Sequence, residues 1–283
     1  MLKLMPLLSV LILLGSCSTS TEFNFESSNS NTNQSSVSVA ESTNFSYDDY
    51  AQILTQYVNN QGEVNYQALK QNRQPLDNFH QLVSTLSPNV YESWTENEKI
   101  AFWINIYNSL TLEALIDHYP TKSIRDIPGV WKRLKFPIMG QELTLDQIEH
   151  EILRKQFDEP RIHMGLVCAS IGCPLLRQEP FIGNQLDQQL NEQTVQFLAL
   201  DRNFKVDKNQ NKVYLSSIFK WFGEDFESKF AAQNQFTGQE KERAVLNFVS
   251  QYLSEENKAY LTQGDYQISY LDYDWSLNDI QSN

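Results

Sequence analysis

Residues 161–174 carry the side chains best suited to nucleophilic chemistry. This stretch, RIHMGLVCASIGCP, contains His163, one of four histidines, and Cys168 and Cys173, two of the three cysteines. A thiol attacks only as its thiolate, and a nearby imidazole both lowers the thiol pKa and carries its proton. The segment therefore predicts a cysteine nucleophile with a histidine base, although a cysteine that packs as a small apolar residue fits the same sequence.

The backbone conformation of this segment decides which side chains meet. If residues 161–167 form a β-strand, side chains alternate between its faces, and His163 points away from the face of Cys168. A bulge at Gly165, or a turn after the strand, would restore the pairing. Otherwise the imidazole must come from elsewhere, and His150 is the next candidate.

Cys173 is an alternative nucleophile. It precedes Pro174, which suits the first turn of a helix, where backbone N–H groups stabilise a thiolate. A disulfide between Cys168 and Cys173 would leave neither thiol free to react. These cysteines, His150 and His163 are also zinc ligand types, but the H-x4-C-x4-C spacing matches no strong zinc pattern, so we expect no metal and no cofactor.

Glu149 is the least ordinary carboxylate outside this segment. Thr144 and Gln147 form a capping box that opens a predicted helix to about Gln156. At about 100° per residue, Glu149 falls within the apolar stripe of that helix and His150 just off its edge. A buried carboxylate must be ion-paired, hydrogen-bonded or protonated. Glu149 is therefore predicted to form a structural ion pair with an arginine, or to belong to a site. In a site it would hold an imidazole or act as an acid or base with a raised pKa.

Two amides lie on the clearest helix of the sequence. Residues 95–98, Thr-Glu-Asn-Glu, form a capping box, and residues 100–115 are apolar nearly all round, which predicts a central buried helix. Asn105 and Asn108 are three residues apart and share one face of it. Buried amides either bridge a helix to neighbouring backbone or act in a site, where they orient an imidazole or donate to an oxyanion.

The other patterns predict an α+β fold, mostly helical, with a small and mainly antiparallel sheet. We expect a single globular domain over residues 47–283. Helical spacing marks residues 47–58, 76–86, 186–200, 218–230 and 243–260, whereas strand or hairpin patterns mark 138–143, 205–207 with 213–215, and 266–270.

Residues 1–16 predict a bacterial lipoprotein signal peptide. Lys3 provides a basic start, and residues 7–14 form an apolar core too short to span a bilayer as a mature helix. The Leu-Gly-Ser-Cys ending resembles a lipoprotein cleavage site, which implies cleavage before Cys17 and acyl chains on this residue. An ordinary secretory signal is the alternative.

The composition after the signal predicts how the domain is attached. Residues 17–46 are rich in Ser, Thr and Asn without an apolar period, so they predict a flexible tether behind the lipidated Cys17. Ser18 favours sorting to the outer membrane, facing the periplasm. The net charge of −13, without a basic cluster, argues against nucleic acid and anionic lipid surfaces as partners, so the lipid alone should contact the membrane.

Four motifs over Tyr47–Asn278 together resemble the family called domain of unknown function 547. The motifs are FWINIYNSLT at 102–111, LDQIEHEILR at 145–154, RIHMGLVCASIGCPLLR at 161–177 and YDWSLN at 273–278. The resemblance implies an exported or lipid-anchored bacterial protein and a relationship to papain-like or transglutaminase-like cysteine enzymes. The family pattern falls on Asn105, Asn108, Glu149, His163 and Cys168, and less regularly on His150 and Cys173.

Together these features predict a lipid-anchored, cysteine-dependent hydrolase or acyl transferase that acts on a peptide or amide. Cys168 would be the nucleophile and His163 its base. Glu149 would orient that base, and Asn105 or Asn108 would position it or the oxyanion. The alternative is a non-catalytic module of the cell envelope whose pocket binds a peptide or small ligand, or docks a partner protein.

Overall fold

The computed structural model describes residues 45–231 and 235–280 of the chain. The predicted signal peptide at residues 1–16, the lipidation site Cys17 and nearly all of the predicted tether lie outside these ranges. Within them, no helix combines the length and the apolar character that a bilayer span requires.

The predicted α+β class is confirmed, because helices dominate the described residues and short strands are scattered among them. The α-helices are α1 (Asp48–Tyr57), α2 (Tyr66–Gln71), α3 (Gln74–Thr85), α4 (Pro88–Glu92), α5 (Glu96–His118), α6 (Arg154–Gln156), α7 (Ile162–Gly165), α8 (Leu186–Leu198), α9 (Ser217–Phe222), α10 (Glu227–Phe230), α11 (Glu240–Val249) and α12 (Glu255–Gln263). The strands are β1 (Phe136–Ile138), β2 (Gln141–Leu143), β3 (Phe204–Asp207), β4 (Lys212–Leu215) and β5 (Gln267–Tyr270).

Helix α5 is the central helix of the first hydrophobic core. Its capping box is present, since the Glu98 backbone N–H donates to Thr95 Oγ1 at 3.4 Å and Glu98 Oε2 accepts from the Thr95 backbone N–H at 2.8 Å. Nearly all of its residues between Ile100 and Ile116 are buried, because apolar side chains occupy every face. The prediction of a central buried helix is confirmed.

The strands form two small sheets. Strands β1 and β2 pair antiparallel as a hairpin, and β3 and β4 pair antiparallel in a second sheet. Strand β5 adds to β4 in parallel, with Lys212 opposite Gln267 and Leu215 opposite Tyr270. The connection between β4 and β5 contains helices α9 to α12, and such a crossover returns the chain in the same direction.

Residues 161–167 do not form the β-strand on which the alternation of side chains would depend. Successive turns form there instead: the His163 backbone N–H donates to Pro160 O at 3.4 Å, and the Leu166 N–H donates to Ile162 O at 2.9 Å. Glu159 favours the first turn, because its carboxylate accepts from the Arg161 backbone N–H at 3.0 Å. Alternation between strand faces therefore does not determine where His163 points.

The helix that begins after the second capping box is a π-helix over Gln147–Leu153, not an α-helix. The box itself is present, since Thr144 and Gln147 exchange hydrogen bonds of 3.0 and 3.2 Å. In the π-helix the Arg154 backbone N–H donates to Glu149 O, five residues back, so the α-helical wheel misplaces the side chains.

Two longer predicted helices are broken. The helix predicted over 218–230 changes at Gly223 into a 3₁₀ turn, Gly223–Phe226, between α9 and α10. The helix predicted over 243–260 stops after the 3₁₀ turn Ser250–Tyr252, and Ser254 caps α12 through a 3.3 Å bond from the Asn257 N–H. Both breaks coincide with residues that favour helix ends.

Phe45, near the end of the predicted tether, packs against aromatic side chains of the domain. Its ring lies 5.0 Å from Tyr47, 5.2 Å from Trp94 and 5.5 Å from Phe102, centroid to centroid. Aromatic contacts at these distances stabilise a core beyond the area that they bury.

The C-terminal segment, residues 271–280, links an early part of the domain to the loop that carries the cysteines. Asp279 forms a parallel bridge with Val64, and Leu277 forms an antiparallel bridge with Ser170. The Gly172 backbone N–H also donates to Asp274 O at 2.9 Å. This segment therefore fixes residues 168–173, which carry both cysteines and which we call the cysteine loop.

Candidate active site

One cavity of about 290 Å³ collects most of the predicted site residues. Helices α5, α7 and α9, the π-helix, the cysteine loop and the C-terminal segment all contribute to its predominantly apolar wall. Its lining comprises Tyr107, Trp131, Lys132, Asp146, Glu149, His150, His163, Leu166, Cys168, Cys173, Ile218, Trp221, Phe222, Tyr273 and Trp275.

Two free thiols lie in contact at this wall. Cys168 Sγ is 2.7 Å from Cys173 Sγ, and Cys168 is partly exposed whereas Cys173 is buried. The loop closes tightly enough for this contact because Ala169 adopts a left-handed conformation, with φ of 58°. The Cys173 N–H then donates to Ser170 O at 3.0 Å.

Hydrogen bonds favour the negative charge on Cys173. Its sulfur accepts from the Cys168 backbone N–H at 2.9 Å and contacts the Tyr273 hydroxyl at 3.0 Å. Burial opposes ionisation, but the donors from Cys168, Ser170 and Tyr273 lower the pKa of Cys173 to about 7. The hydrogen bond to Cys173 and burial raise the pKa of Cys168. Near pH 7 the pair is therefore partly ionised, and in the ionised form it shares one proton while Cys173 holds the charge.

His163 lines the same cavity but bonds to a carboxylate rather than to a thiol. Its Nε2 is 2.7 Å from Asp225 Oδ2, and its ring stacks on Phe222 with 4.2 Å between centroids. Within the described parts of the chain, no hydrogen bond joins His163 or His150 to Cys168 or Cys173. The Cys-His contact predicted from sequence proximity is not formed.

The carboxylate fixes the tautomer of His163. A carboxylate only accepts, so Nε2 carries the proton and Nδ1 is the acceptor. Burial lowers the pKa of His163 although the Asp225 bond raises it, so the ring is neutral at pH 7. Among the described residues, Nδ1 has no hydrogen-bond partner and remains able to accept a proton.

Arg154 connects both imidazoles to one polar network. It binds Asp225 through Nε at 2.6 Å and Nη2 at 2.7 Å, and its Nη1 donates to His150 Nδ1 at 3.0 Å. Burial raises the pKa of Asp225, but hydrogen bonds from Arg154 and His163 bring it down to about 2. Asp225 is therefore a permanent carboxylate, and His150 is bonded to Arg154 rather than to a thiol.

Glu149 faces the cavity and is bonded to the Tyr107 hydroxyl rather than to an imidazole. Burial raises the pKa of Glu149, whereas the electrostatic effect of the neighbouring His150 and the Tyr107 hydrogen bond lower it. The described residues form no ion pair with Glu149. Neither predicted partner, an arginine or the base His163, is therefore in contact with it.

The two amides of α5 bridge the helix to neighbouring backbone. Asn105 donates to Phe181 O at 2.8 Å and accepts from its N–H at 2.9 Å. Asn108 donates to Gly165 O at 2.9 Å and accepts from the Val167 N–H at 2.8 Å. Asn108 thus holds the backbone immediately before Cys168, while neither amide contacts an imidazole.

Sequence patterns missed three polar residues of this site. Asp225 follows His163 by 62 positions, and nothing in the local sequence distinguishes it from the neighbouring Glu224. Arg154 and Tyr273 lie inside the second and fourth motifs, which could have drawn attention to them. The described residues contain no group of three or more His, Cys, Asp and Glu side chains placed to hold a metal ion.

Comparison with known proteins supports the resemblance found in the sequence. No curated protein and no solved structure matches this chain. The family model described as "Protein of unknown function, DUF547" matches residues 91–198, which include α5, the π-helix, α7 and both thiols but not Asp225 or Tyr273. The family predicted from the four motifs is thereby confirmed over residues 91–198, a segment that contains the first three motifs.

Proposed function

We propose that this protein is a cysteine-dependent hydrolase or acyl transferase that acts on a peptide or amide bond. One observation carries the proposal: a thiol pair with one pKa of about 7 and an aspartate-bound imidazole line the same small cavity. Perturbed groups that converge in a largely apolar cavity are typical of catalytic sites.

Cys168 is the proposed nucleophile because it is the more exposed of the two thiols. As its sulfur forms a bond to the substrate carbonyl carbon, its proton passes across the 2.7 Å contact to the thiolate of Cys173. The carbonyl electron pair moves to oxygen and returns when the C–N bond breaks. The departing amine takes the proton back from Cys173, leaving a thioester on Cys168.

His163 is the proposed base of the second step. Its Nδ1 accepts a proton from the water or other acceptor that attacks the thioester. The carbonyl electron pair moves to oxygen and returns as the C–S bond breaks, and the bonding electrons leave on the sulfur of Cys168. The imidazolium then releases its proton to solvent in the cavity and the Cys168 thiolate takes one up, which restores both groups. The Asp225 carboxylate stabilises the imidazolium while it lasts, as an aspartate does in a Ser-His-Asp triad. This division of roles explains why His163 does not need to contact either thiol.

We also propose that the protein acts at the bacterial cell envelope. Cleavage before Cys17 and acylation of this residue would anchor the chain by lipid, with its domain in the periplasm beneath the outer membrane. The competing function is a non-catalytic envelope module. That alternative is favoured by the hydrogen bonds of the two imidazoles, which go to Arg154 and Asp225 rather than to a thiol.

Thiol reactivity separates the two functions. We expect iodoacetamide to label Cys168 of the folded protein at pH 7 faster than it labels a model thiol. Cys173→Ser should slow this labelling, because a serine hydroxyl cannot accept the proton of Cys168 as the Cys173 thiolate does. Labelling that occurs only after unfolding would overturn the enzyme proposal.

An acyl donor tests the two steps separately. With p-nitrophenyl acetate, the acetyl group should appear on Cys168 as p-nitrophenolate is released. His163→Gln should leave this burst in place and lower the steady-state rate by about 10²- to 10⁴-fold, the usual contribution of a general base. Equal acylation of Cys168→Ser would overturn the assignment of the nucleophile, and unchanged turnover of His163→Gln the assignment of the base.

A further inference from the structure

Four aromatic rings surround the cavity on the side of α9 and the C-terminal segment. Tyr273 lies 4.5 Å from Trp275 and 4.9 Å from Trp221, centroid to centroid. Trp275 in turn lies 5.9 Å from Trp221 and 6.1 Å from Trp131. We call Trp131, Trp221, Tyr273 and Trp275 the aromatic wall.

Part of the apolar surface of the aromatic wall is open to solvent. Trp221 is 43% exposed, one of the few large apolar side chains of the described residues that face solvent. Exposed apolar surface that continues into a cavity is typical of a ligand site. Because Tyr273 also contacts Cys168 Sγ at 3.2 Å, a group against the wall lies beside the thiols.

The size of the cavity limits what the aromatic wall can hold. Its volume of about 290 Å³ is at the lower end of ordinary ligand sites and about twice that of a 150 Å³ cavity that binds benzene. It therefore has room for one ring or branched apolar group and the carbonyl attached to it. A long peptide would have to extend into solvent.

Charge and hydrogen bonding favour an uncharged group. Arg125 lies 5.2 Å from the centre of the Trp275 ring, and Arg154 lies 5.0 Å from that of Phe222. These two ring faces are therefore already occupied by cations of the protein itself. In the lining, Lys132 and Asp146 lie 3.7 Å apart and offset each other's charge, so the pair favours neither a cation nor an anion. The apolar lining would leave sugar hydroxyls without partners, at a cost of about 1 to 3 kcal/mol for each buried group.

The geometry points to a specificity subsite: the aromatic wall binds the aromatic or branched apolar side chain of the acyl donor, on the carbonyl side of the bond that Cys168 attacks. This inference rests on the proposed function, since it names the substrate class of the same thiol. Stacking and burial of one ring against Trp221 and Tyr273 would hold the carbonyl beside Cys168 Sγ.

Four alkylating probes of one chemistry test the subsite. Iodoacetamide, N-benzyl iodoacetamide, a trimethylammonium iodoacetamide and iodoacetate are compared at pH 7, each rate divided by that for a model thiol. We expect the benzyl probe to exceed iodoacetamide by at least about tenfold, which corresponds to about 1.4 kcal/mol. The cationic and anionic probes should show no such gain.

Variants locate the preference. Trp221→Ala should lower the ratio of benzyl to plain labelling to near one, whereas Trp221→Phe should retain most of it. Val195→Ala is the matched control, because Val195 is 54% exposed on α8 and does not line the cavity. It should leave both rates unchanged.

The outcomes separate the two proposals. If iodoacetamide labels the folded protein rapidly but the benzyl probe gains nothing, or Trp221→Ala keeps the gain, the subsite is overturned and the thiol function stands. A largest gain for the cationic probe would also overturn it, in favour of an aromatic cage. If no probe labels Cys168 until the protein unfolds, the enzyme proposal itself fails, and the subsite with it.

Discussion

Asp225 controls the electrostatics of the site although it touches neither thiol. Its carboxylate accepts from His163 and from Arg154, so one residue fixes an imidazole tautomer and neutralises a half-buried guanidinium. The cation and the carboxylate each have only 18% of their side chain exposed. At this depth a broken pair leaves an uncompensated charge, which is far more costly than a lost surface ion pair.

Asp225→Asn tests this assignment. We expect it to lower the free energy of unfolding by about 3 to 5 kcal/mol, because Arg154 keeps its charge and loses its carboxylate. The matched control is Glu224→Gln, whose side chain is 68% exposed and also binds Arg154, and which should cost about 0 to 1 kcal/mol. Urea unfolding of both variants measures the difference, and equal losses would contradict the role given to Asp225.

Glu149 predicts a pH dependence of stability with a definite sign. Because burial raises its pKa above the ordinary 4.5, folding favours the protonated form. The resulting stabilisation is complete below about pH 4.5 and is lost as pH rises through the folded pKa. Glu149→Gln has no proton to lose. Relative to the wild type, its unfolding free energy should therefore increase as the pH rises from 4.5 to neutrality. Urea unfolding of both proteins across that range measures this, and a constant difference in their unfolding free energies would contradict it.

At the scale of elements, the π-helix determines how Glu149 and His150 are presented. Adjacent residues of a regular amphipathic helix would leave one side chain in the apolar stripe and the other outside it. The wider turn of Gln147–Leu153 lets both line the cavity while Ile148, Ile152 and Leu153 stay buried. Such turns are rare and often occur at functional sites.

Contact between the cysteine loop and the C-terminal segment can be tested through one glycine. A Cβ at Gly172 would lie 2.9 Å from the ring of Tyr273, so Gly172→Ala must displace that ring from the thiols. We expect a loss of about 1 to 3 kcal/mol in unfolding free energy and slower iodoacetamide labelling at pH 7. Gly223→Ala is the control, because its nearest neighbour would be 3.5 Å away. Equal effects of both substitutions would contradict the contact.

Local signals predicted the elements well where they were strong. The capping boxes at Thr95 and Thr144 marked true helix starts, and the two hairpins formed where alternation indicated them. The conformation of residues 161–167 stayed open in the sequence, because their apolar side chains fit a buried strand as well as a buried turn. The π-helix leaves no local signal either, since its capping box is that of an ordinary helix.

At the scale of the whole molecule, the cavity lies where two hydrophobic cores meet. Helix α5 and the π-helix belong to the first core, while Met164, Phe219 and Phe226 belong to the second. Tyr273 packs against both. Local sequence could propose Cys168 and His163, but it could not pair His163 with Asp225, because that contact depends on how the cores dock.

The proposed lipid anchor predicts where the whole molecule is modified. Metabolic labelling with a fatty-acid analogue should modify the wild type and Cys168→Ser equally, because the acyl chains reside on Cys17. Cys17→Ser should lose the label, since no other residue of the signal provides the sulfur that is acylated. A labelled Cys17→Ser, or loss of label in Cys168→Ser, would contradict the anchor assignment.

The distance along the chain between Cys173 and Tyr273, 100 residues, has a consequence for the order of folding. Residues 271–280 secure the cysteine loop through the bridge of Leu277 to Ser170 and the Gly172 bond to Asp274. A ribosome therefore releases the cysteine loop well before the segment that secures it. The two thiols reach their final arrangement only after residues 271–280 have been synthesised, so a shorter nascent chain carries no assembled thiol pair.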